Sequence, residues 1–307
     1  MTILVTGGAG YIGSHVCKTL HARGYRPVVY DNLSHGNAWS VQWGPFVQGD
    51  IHDFQSLSAV IEHFTPIAAI HLAGSIHARE ATLLPHSYYY NNVEGSRIFL
   101  QALVENGICH VVSTSSAAIY DATNAYGKSK RAVEGMLDDF AQAYGIEYAS
   151  LRCFNAAGAD IEGKIGEAHP KETHLIPLAI EAALGKRDHL AIYGDGTSLR
   201  DYVHVSDIAD AHVHALEHLI AKKGSLTVDI GSGRGHTVWD ILHYVEKISE
   251  KKIPYVLQPK INESKRLIAN TAMASTLLNW QPQYSELSSI IQTAWNWYTS
   301  QCCHCSS

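Results

Sequence analysis

Short apolar runs alternate with longer amphipathic stretches over the first 155 residues of the chain. The apolar runs have the length of strands, and the longer stretches repeat their apolar residues with the period of a helix. Strands are predicted at residues 3–5, 27–30, 46–48, 68–72, 110–113 and 148–152. Helices are predicted at residues 12–23, 54–64, 88–106 and 125–144. This alternation predicts an α/β fold in which helices connect the strands of a parallel sheet.

The first strand leads into the turn "VTGGAGYIG", which places glycines at positions 8, 10 and 13 in the spacing of a dinucleotide-binding loop. Without side chains, these residues let the main chain turn tightly and approach a pyrophosphate, whose charge meets the positive end of the next helix. A turn that only connects strand and helix is the alternative reading. The residues expected to hold the dinucleotide are Gly7, Gly10, Tyr11, Ile12 and Gly13. The context predicts a doubly wound parallel sheet of the Rossmann type.

Two further strands end in acidic residues that suit the same cofactor. Asp31 ends the second strand, where it can accept hydrogen bonds from both ribose hydroxyls, and its charge would repel a 2′-phosphate. NAD is therefore expected rather than NADP, with Asn32 in the same site. Asp50 and Ile51 follow the third strand and are expected at the adenine amino group and ring. An Asp after a strand is also common as a turn residue or helix cap, which is the alternative for Asp50.

A possible proton-transfer group lies in "SSAAIYDATNAYGKSK". Tyr126 and Lys130 are four residues apart and share one face of a helix, while Ser116 ends the preceding strand. A free phenol has a pKa near 10, and a lysine ammonium and a nicotinamide cation beside it would lower that value. Together the three residues could take a proton from a secondary alcohol while NAD takes the hydride. The alternative is that "YGKSK" is merely the exposed start of a helix.

The alternation of strands and helices changes after Asn155, where loops rich in Gly, Pro and charged residues separate single helices and short strands. We therefore expect residues 1–155 to form an NAD-binding domain. Residues 156–307 are expected to form mainly a smaller α/β substrate-binding region. A strand and helix around residues 201–220 are expected to return to the first domain.

Composition narrows the class of protein. The net charge is −6 and no long basic run occurs, so nucleic acid is not an expected partner. The start of the chain has no signal-peptide pattern, and no segment approaches eighteen uninterrupted apolar residues, so a cytoplasmic protein without a membrane span is expected. Cys17, Cys109 and Cys153 are isolated, as expected for thiols in a reducing compartment. The terminal "CCHC" and the nineteen histidines lack the spacing of a zinc site, so no metal is expected.

Seven motifs resemble the extended short-chain dehydrogenase/reductase family over nearly the whole chain. They are "TGGAGYIG", "HLAG", "NNVEGS", "YGKSK", "LRCFNAAGA", "ETHLIP" and "RDYVHVSDIADAH". The first four are shared across the family, whereas "FNAAGA" followed by "IGE" and "THLIP" is more specific to its nucleotide-sugar epimerases.

The resemblance implies roles for individual residues. Ser116 and Tyr126 would handle the proton at C4 of a UDP-hexose, and Lys130 would bind the nicotinamide ribose and tune the tyrosine. Further residues are expected to hold the cofactor: Leu72, Ala73 and Asn91. Others are expected to bind the nucleotide sugar: Phe154, Asn155, His174, Leu175 and Arg200.

The activity implied is epimerisation through a 4-keto sugar, with tightly held NAD regenerated in each cycle. A homodimer is also implied, paired through the helices predicted at residues 88–106 and 125–144. A 4,6-dehydratase is disfavoured because Ala117 and Ala118 stand where that chemistry needs an Asp-Glu pair. Open alternatives are another NAD-dependent nucleotide-sugar epimerase or reductase, for example one acting on UDP-N-acetylhexosamines, and a catalytically silent protein that binds NAD or a nucleotide sugar.

Three loops are shorter than the family pattern. They lie between Ser116 and Tyr126, within "IYGDGTSLRDY" and within "QPKINESKRLIAN". Either the loops are naturally trimmed or segments are missing from the chain. We favour the second hypothesis because all three gaps fall in loops expected near the substrate.

Overall fold

The computed structural model describes residues 1–169, 172–260 and 264–304. The strands in chain order are β1 (Thr2–Thr6), β2 (Arg26–Asp31), β3 (Phe46–Gln48), β4 (Ala68–His71), β5 (His110–Ser116), β6 (Glu147–Cys153), β7 (Asn155–Ala157), β8 (Leu190–Tyr193), β9 (Leu199–His204), β10 (Leu226–Ile230), β11 (Gly235–His236), β12 (Tyr255–Gln258) and β13 (Arg266–Leu267). The α-helices are α1 (Tyr11–Ala22), α2 (Phe54–Phe64), α3 (Ala78–Leu83), α4 (Pro85–Tyr88), α5 (Gly95–Glu105), α6 (Ala118–Asp121), α7 (Ala125–Tyr144), α8 (Leu175–Ala183), α9 (Val205–Ile220), α10 (Val238–Ser249), α11 (Ala272–Leu278) and α12 (Leu287–His304).

Seven strands form the main sheet in the order β3-β2-β1-β4-β5-β6-β10, and the neighbours from β3 to β6 pair in parallel. Val5 of β1 lies between Val29 of β2 and Ile70 of β4, and all three side chains are fully buried. Strands covered on both faces read as continuous apolar runs, which is why the sequence signals them clearly. The predicted α/β fold with a doubly wound parallel sheet is confirmed.

The order of the strands reverses at β1, because the chain moves outward to β2 and β3 and then returns to β4 on the other side. In doubly wound sheets, ligands bind at the carboxyl ends of the strands that flank such a reversal. A ligand-binding site is therefore expected at the carboxyl ends of β1 and β4.

The chain divides into two compact units. The first contains Met1–Cys153, Ala209–Asp229 and Ala272–Trp280, and the second contains Phe154–Ile208, Ile230–Thr271 and Gln281–Ser307. The helical part of the segment at 201–220 lies largely in the first unit. The strand β9, by contrast, pairs with β7, β11 and β13 in the second. The later strand that joins the main sheet is β10.

The second unit has its own core, in which α8, α10 and α12 pack together. Ile180, Ile241 and Ile290, one from each helix, are fully buried. A short parallel pair, β8 with β12, completes the α/β character of this unit.

The helix predicted at residues 88–106 is interrupted. The segment Tyr89–Glu94 is a π-helix between α4 and α5. One widened turn shifts the side chains that follow it, and such turns are frequent at functional sites. Within the described ranges, no helix is long and apolar enough to cross a bilayer.

Candidate active site

The glycine turn joins β1 to α1 at the point where the strand order reverses. Gly7 has a φ of +72°, and a Cβ there would lie 2.5 Å from the backbone nitrogen of Ala73. A Cβ on Gly13 would lie 2.1 Å from the carbonyl oxygen of Gly7. Both positions therefore require glycine, because the obstacles are main-chain atoms. The turn has the close backbone approach that a pyrophosphate cradle needs.

The start of α1 supplies the rest of the cradle. Gly10 is the N-cap of the helix, whose first residues are Tyr11 and Ile12. The first turn of α1 holds no acidic side chain of its own, so no carboxylate of the helix competes with an anion for its N–H groups. The five residues predicted for this loop are thus brought together.

Asp31 ends β2 beside the glycine turn. Its two carboxylate oxygens accept the N–H groups of Ala9 at 3.0 Å and Leu33 at 2.9 Å. Burial raises the pKa of Asp31, and these two hydrogen bonds oppose that rise. Each oxygen keeps a further lone pair, so the carboxylate can still accept ribose hydroxyls.

A second group of residues lies at the end of β3. Asn32 donates to one Asp50 oxygen at 2.9 Å, and His52 contacts the other at 2.6 Å. Burial opposes ionisation of Asp50, but the hydrogen bonds from His52 and Asn32 outweigh it and lower the pKa. Ile51 is buried, and a Cβ on Gly95 would come within 2.5 Å of it. The Asp50 carboxylate is therefore held in place by hydrogen bonds, next to the tightly packed side chain of Ile51.

The end of β4 reaches the glycine turn through its main chain. The N–H of Leu72 donates to the carbonyl of Thr6 at 3.0 Å, and the backbone of Leu72 and Ala73 forms the wall against which Gly7 packs. Asn91 donates from its amide to Ser75 at 2.9 Å, just beyond this wall. These three predicted cofactor residues therefore lie at the switch point of the sheet.

Asn92 was not predicted as a site residue, yet it connects the end of β4 with α7. Its side-chain oxygen accepts the N–H of Ser75 at 2.7 Å, and its amide donates to the Ser75 carbonyl at 3.1 Å and to Ser129 at 3.0 Å. The Ser129 hydroxyl in turn donates to the carbonyl of Tyr126 at 2.8 Å. The sequence signal for this residue is the pair "NN". In the structure, only the second Asn of the pair is buried.

His71 extends the same network toward β1. Its ring nitrogens lie 2.7 Å from the Thr6 hydroxyl and 2.9 Å from the Ser96 hydroxyl. Burial lowers the pKa of His71 to about 3, so the ring is neutral at physiological pH. Ser96 donates to the carbonyl of Asn92 at 2.6 Å, which ties the π-helix to the sheet.

Ser116, Tyr126 and Lys130 come together in the first unit. Ser116 is the last residue of β5, and its hydroxyl is hydrogen-bonded to the Tyr126 phenol. Lys130 lies one turn further along α7 and donates to the carbonyl of Thr114 at 2.9 Å. A Cβ on Gly74 would lie 3.6 Å from the Lys130 nitrogen, which places that ammonium beside the end of β4.

Burial dominates the electrostatics of this trio. It raises the pKa of Tyr126, and the hydrogen bond from Ser116 opposes the rise. That a nicotinamide cation lowers this pKa stays a prediction. Burial lowers the pKa of Lys130 to about 8, and it raises that of the neighbouring Cys153 thiol to about 12. A buried phenolate loses its hydration, and this cost exceeds the stabilisation that the hydroxyl provides.

The connection between Ser116 and Tyr126 is short but regular. It forms the single helical turn α6, in which the N–H of Ala122 donates to the carbonyl of Ala118 at 2.9 Å. Asn124 then caps α7 by accepting the N–H of Gly127 at 3.0 Å. A connection of nine residues therefore suffices to bring the serine to the tyrosine.

The predicted nucleotide-sugar residues lie in the second unit. Phe154 is buried, Asn155 donates to the carbonyl of Asp201 at 2.8 Å, and the Arg200 guanidinium donates to the carbonyls of Leu199 at 3.0 Å and Ser264 at 2.8 Å. His174 precedes Leu175, the first residue of α8.

The imidazole of His174 contacts the carboxylate of Glu167. This carboxylate partner was not predicted.

Comparison with known proteins identifies the family of the chain. Residues 3–231 match the NAD dependent epimerase/dehydratase family. The chain belongs to that family.

The similar proteins have names that are more specific than the description of the family. The chain is 44% identical over 318 residues to the UDP-glucose 4-epimerase of Rhizobium leguminosarum bv. trifolii, with 97% of each chain covered. It is 42% identical to the UDP-glucose 4-epimerase of Brucella ovis solved in complex with NAD, with a TM-score of 0.94 and 96% and 97% of the two chains covered. A third similar structure is the enzyme of the same name from Stenotrophomonas maltophila, with bound NAD and formylated UDP-arabinopyranose. It is 31% identical with a TM-score of 0.94, and 98% and 99% of the two chains are covered.

These comparisons confirm the predicted family, fold class and cofactor. The alignment with the Rhizobium enzyme is longer than the 307-residue chain, so that relative has residues with no counterpart here. The hypothesis that segments are missing from the three short loops stays a prediction.

Proposed function

We propose that the protein is an NAD-dependent UDP-glucose 4-epimerase that interconverts UDP-galactose and UDP-glucose. The observation that carries the proposal is the hydrogen bond between Ser116 and Tyr126, with the Lys130 ammonium held on the same helix face. Near-full-length similarity to UDP-glucose 4-epimerases supports the choice of substrate.

The residues of the chain fit NAD. Gly7 and Gly13 leave room for the main chain to approach a pyrophosphate, and the buried Asp31 is placed for the ribose hydroxyls. When bound, NAD supplies the acceptor and donor of a hydride at C4 of the sugar. We propose that the first unit holds NAD, with Asn32, Asp50, Ile51, Leu72, Ala73 and Asn91 completing its site.

As its phenolate, Tyr126 takes the proton of the 4-hydroxyl and later returns it to the oxygen at C4, after the 4-keto sugar has turned its opposite face to the cofactor. The Ser116 hydroxyl hydrogen-bonds the phenol oxygen of Tyr126 and stabilises its phenolate. A cation on Lys130, one helical turn away, would favour that phenolate against the cost that burial imposes on Tyr126.

We propose that the second unit binds the UDP moiety through Phe154, Asn155, His174, Leu175 and Arg200. Two carbonyls hold the guanidinium of Arg200 in place, and its positive charge suits a phosphate. Binding energy from this remote part of the substrate leaves the sugar free to turn.

The test is the conversion of UDP-galactose to UDP-glucose by the purified chain and by Tyr126→Phe. General acid–base groups contribute about 10²- to 10⁴-fold, so the variant should lose at least about 100-fold in kcat while it still retains NAD. Tyr144→Phe is the matched control, because Tyr144 is an exposed phenol at the other end of α7 and should keep the parent rate. A folded, NAD-loaded parent without turnover, or a fully active Tyr126→Phe, would contradict the proposal.

We further infer a cytoplasmic homodimer that serves galactose metabolism. The buried free thiols Cys17 and Cys153 support a reducing compartment. Met136 and Phe140 of α7 remain only partly buried, which supports pairing through α5 and α7. Light scattering should give twice the chain mass, and a monomer at micromolar concentration would refute the pairing.

A further inference from the structure

The segment before α8 gathers four side chains of metal-binding chemistry into eight residues of sequence. They are Glu167, His169, Glu172 and His174, and one ligand atom from each lies within 4.8 Å of all the others. This cluster lies within the second unit. It includes His174, whose Nδ1 faces the carboxylates, so that Nε2 remains for the proposed contact with UDP.

The distances in the cluster match those around a small dication. The Nδ1 atom of His169 lies 3.3 Å from a Glu167 oxygen and 3.6 Å from a Glu172 oxygen, and Nδ1 of His174 lies 3.7 Å from the other Glu172 oxygen. A tetrahedral ion with bonds of about 2.0–2.1 Å holds its ligand atoms about 3.4 Å apart. An ion could therefore enter with small side-chain movements, the largest being separation of His174 from Glu167, which are in direct contact.

The cluster is built into the fold rather than spread over a surface. The Glu167 and His169 side chains are only 4% and 6% exposed. The Trp297 indole donates to the carbonyl of Glu167 at 2.9 Å, and the Tyr298 hydroxyl donates to a Glu172 oxygen at 3.3 Å. Partners of this kind orient metal ligands and fix their geometry.

We propose that these four residues bind one divalent transition-metal ion of the zinc class. Two carboxylates balance the charge of a dication, and imidazole with carboxylate suits zinc or cobalt better than magnesium or calcium, which favour oxygen ligands alone. A bound ion would fix the loop that leads into α8 and its first residue, Leu175. The other way to fill the cluster is with protons on the two histidines, which gives ion pairs and excludes the metal.

The experiment adds Co²⁺ to the metal-stripped full chain and records its visible spectrum. To remove competing thiolates, Cys302, Cys303 and Cys305 are replaced by serine. The expected result is one Co²⁺ per chain with the intense bands of a tetrahedral site and no thiolate charge-transfer band. Zn²⁺ should displace the Co²⁺ and raise the thermal midpoint. Failure to bind Co²⁺ at equimolar micromolar concentration would overturn the proposal and leave the ion pairs as the explanation.

Variants identify the ligands. Loss of an outer-sphere partner typically weakens metal binding 10- to 100-fold, so His169→Gln or Glu172→Gln should weaken Co²⁺ affinity by more than about 100-fold. His189→Gln, at an exposed histidine of the same unit, should bind like the parent. Circular dichroism checks that each variant is folded, and because two different ligands are replaced, failure of one variant to fold does not remove the test. Parental affinity in both folded variants would show that the metal binds elsewhere.

Discussion

Replacing Asn92 by leucine tests whether the π-helix positions the catalytic helix. Asn92 is 2% exposed, and its side chain makes three hydrogen bonds, two to the main chain of Ser75 and one to Ser129. Ser129 then holds the carbonyl of Tyr126. Leucine has a similar size but neither donates nor accepts, so all three partners lose a bond without a large cavity.

The expected loss follows from the count of bonds. A net contribution of about 1 kcal/mol for each hydrogen bond gives a destabilisation of about 3 kcal/mol. With a urea m-value of about 3 kcal/mol/M, the unfolding midpoint should fall by about 1 M at an unchanged slope. The kcat should also fall, because Tyr126 loses a support of its main chain, while the substrate KM changes little.

The assay is urea unfolding followed by circular dichroism, with turnover of UDP-galactose measured separately. Asn106→Leu is the matched control, because Asn106 is only partly buried at the end of α5 and makes two side-chain bonds, to Ser58 and Ala102. Water can replace those bonds, so a loss of about 1 kcal/mol is expected. Equal midpoints for the two variants, or an Asn92→Leu variant with the parent kcat, would refute the positioning role.

Two other predictions concern the cofactor and acid stability. Gly13→Ala should abolish retention of NAD through gel filtration, because its Cβ would lie 2.1 Å from the carbonyl oxygen of Gly7. The control Gly135→Ala, with open space around it in α7, should retain NAD and gain about 0.5–1 kcal/mol in free energy of unfolding. Normal NAD binding by Gly13→Ala would contradict the role of this turn as the pyrophosphate site. Burial opposes ionisation of Glu134, but hydrogen bonds from Arg152 and Ser115 lower its pKa below 4.5, so its stabilising contribution is full above about pH 4.5 and is lost as the pH falls through the lowered value. Glu134→Gln should therefore have a lower thermal midpoint than the parent at pH 7, and the difference should shrink toward about pH 3; a constant difference would count against the linkage.

The main sheet was predictable because its strands are covered on both faces. Leu4, Val28 and Ala69 are fully buried, and their neighbours in sequence are buried too, so each strand appears as an unbroken apolar run. The glycine turn was predictable for a related reason, because Gly7 and Gly13 satisfy steric demands that no other residue meets.

Other features depend on contacts that no local pattern encodes. The segment Tyr89–Glu94 contains no glycine or proline, so the sequence does not distinguish its π-helix from a regular helix. The burial that raises the pKa of Tyr126 was not predicted, because the sequence shows which charged residues are near but not how deeply the phenol is buried. His174 was expected at the substrate, and its carboxylate partner Glu167 lies in a loop without periodicity.

The short connection from Ser116 to Tyr126 affects the unfolded chain as well as the folded one. Each halving of a loop saves about 0.6 kcal/mol of closure entropy, so a tether of nine residues holds the serine and tyrosine close together even before the fold forms. Against this, Ala122 adopts a φ of +38°, a left-handed conformation that costs a non-glycine residue about 1 kcal/mol. The short loop thus combines a low closure entropy with local strain at Ala122. An Ala122→Gly chain would lose the strain but regain disorder of its own.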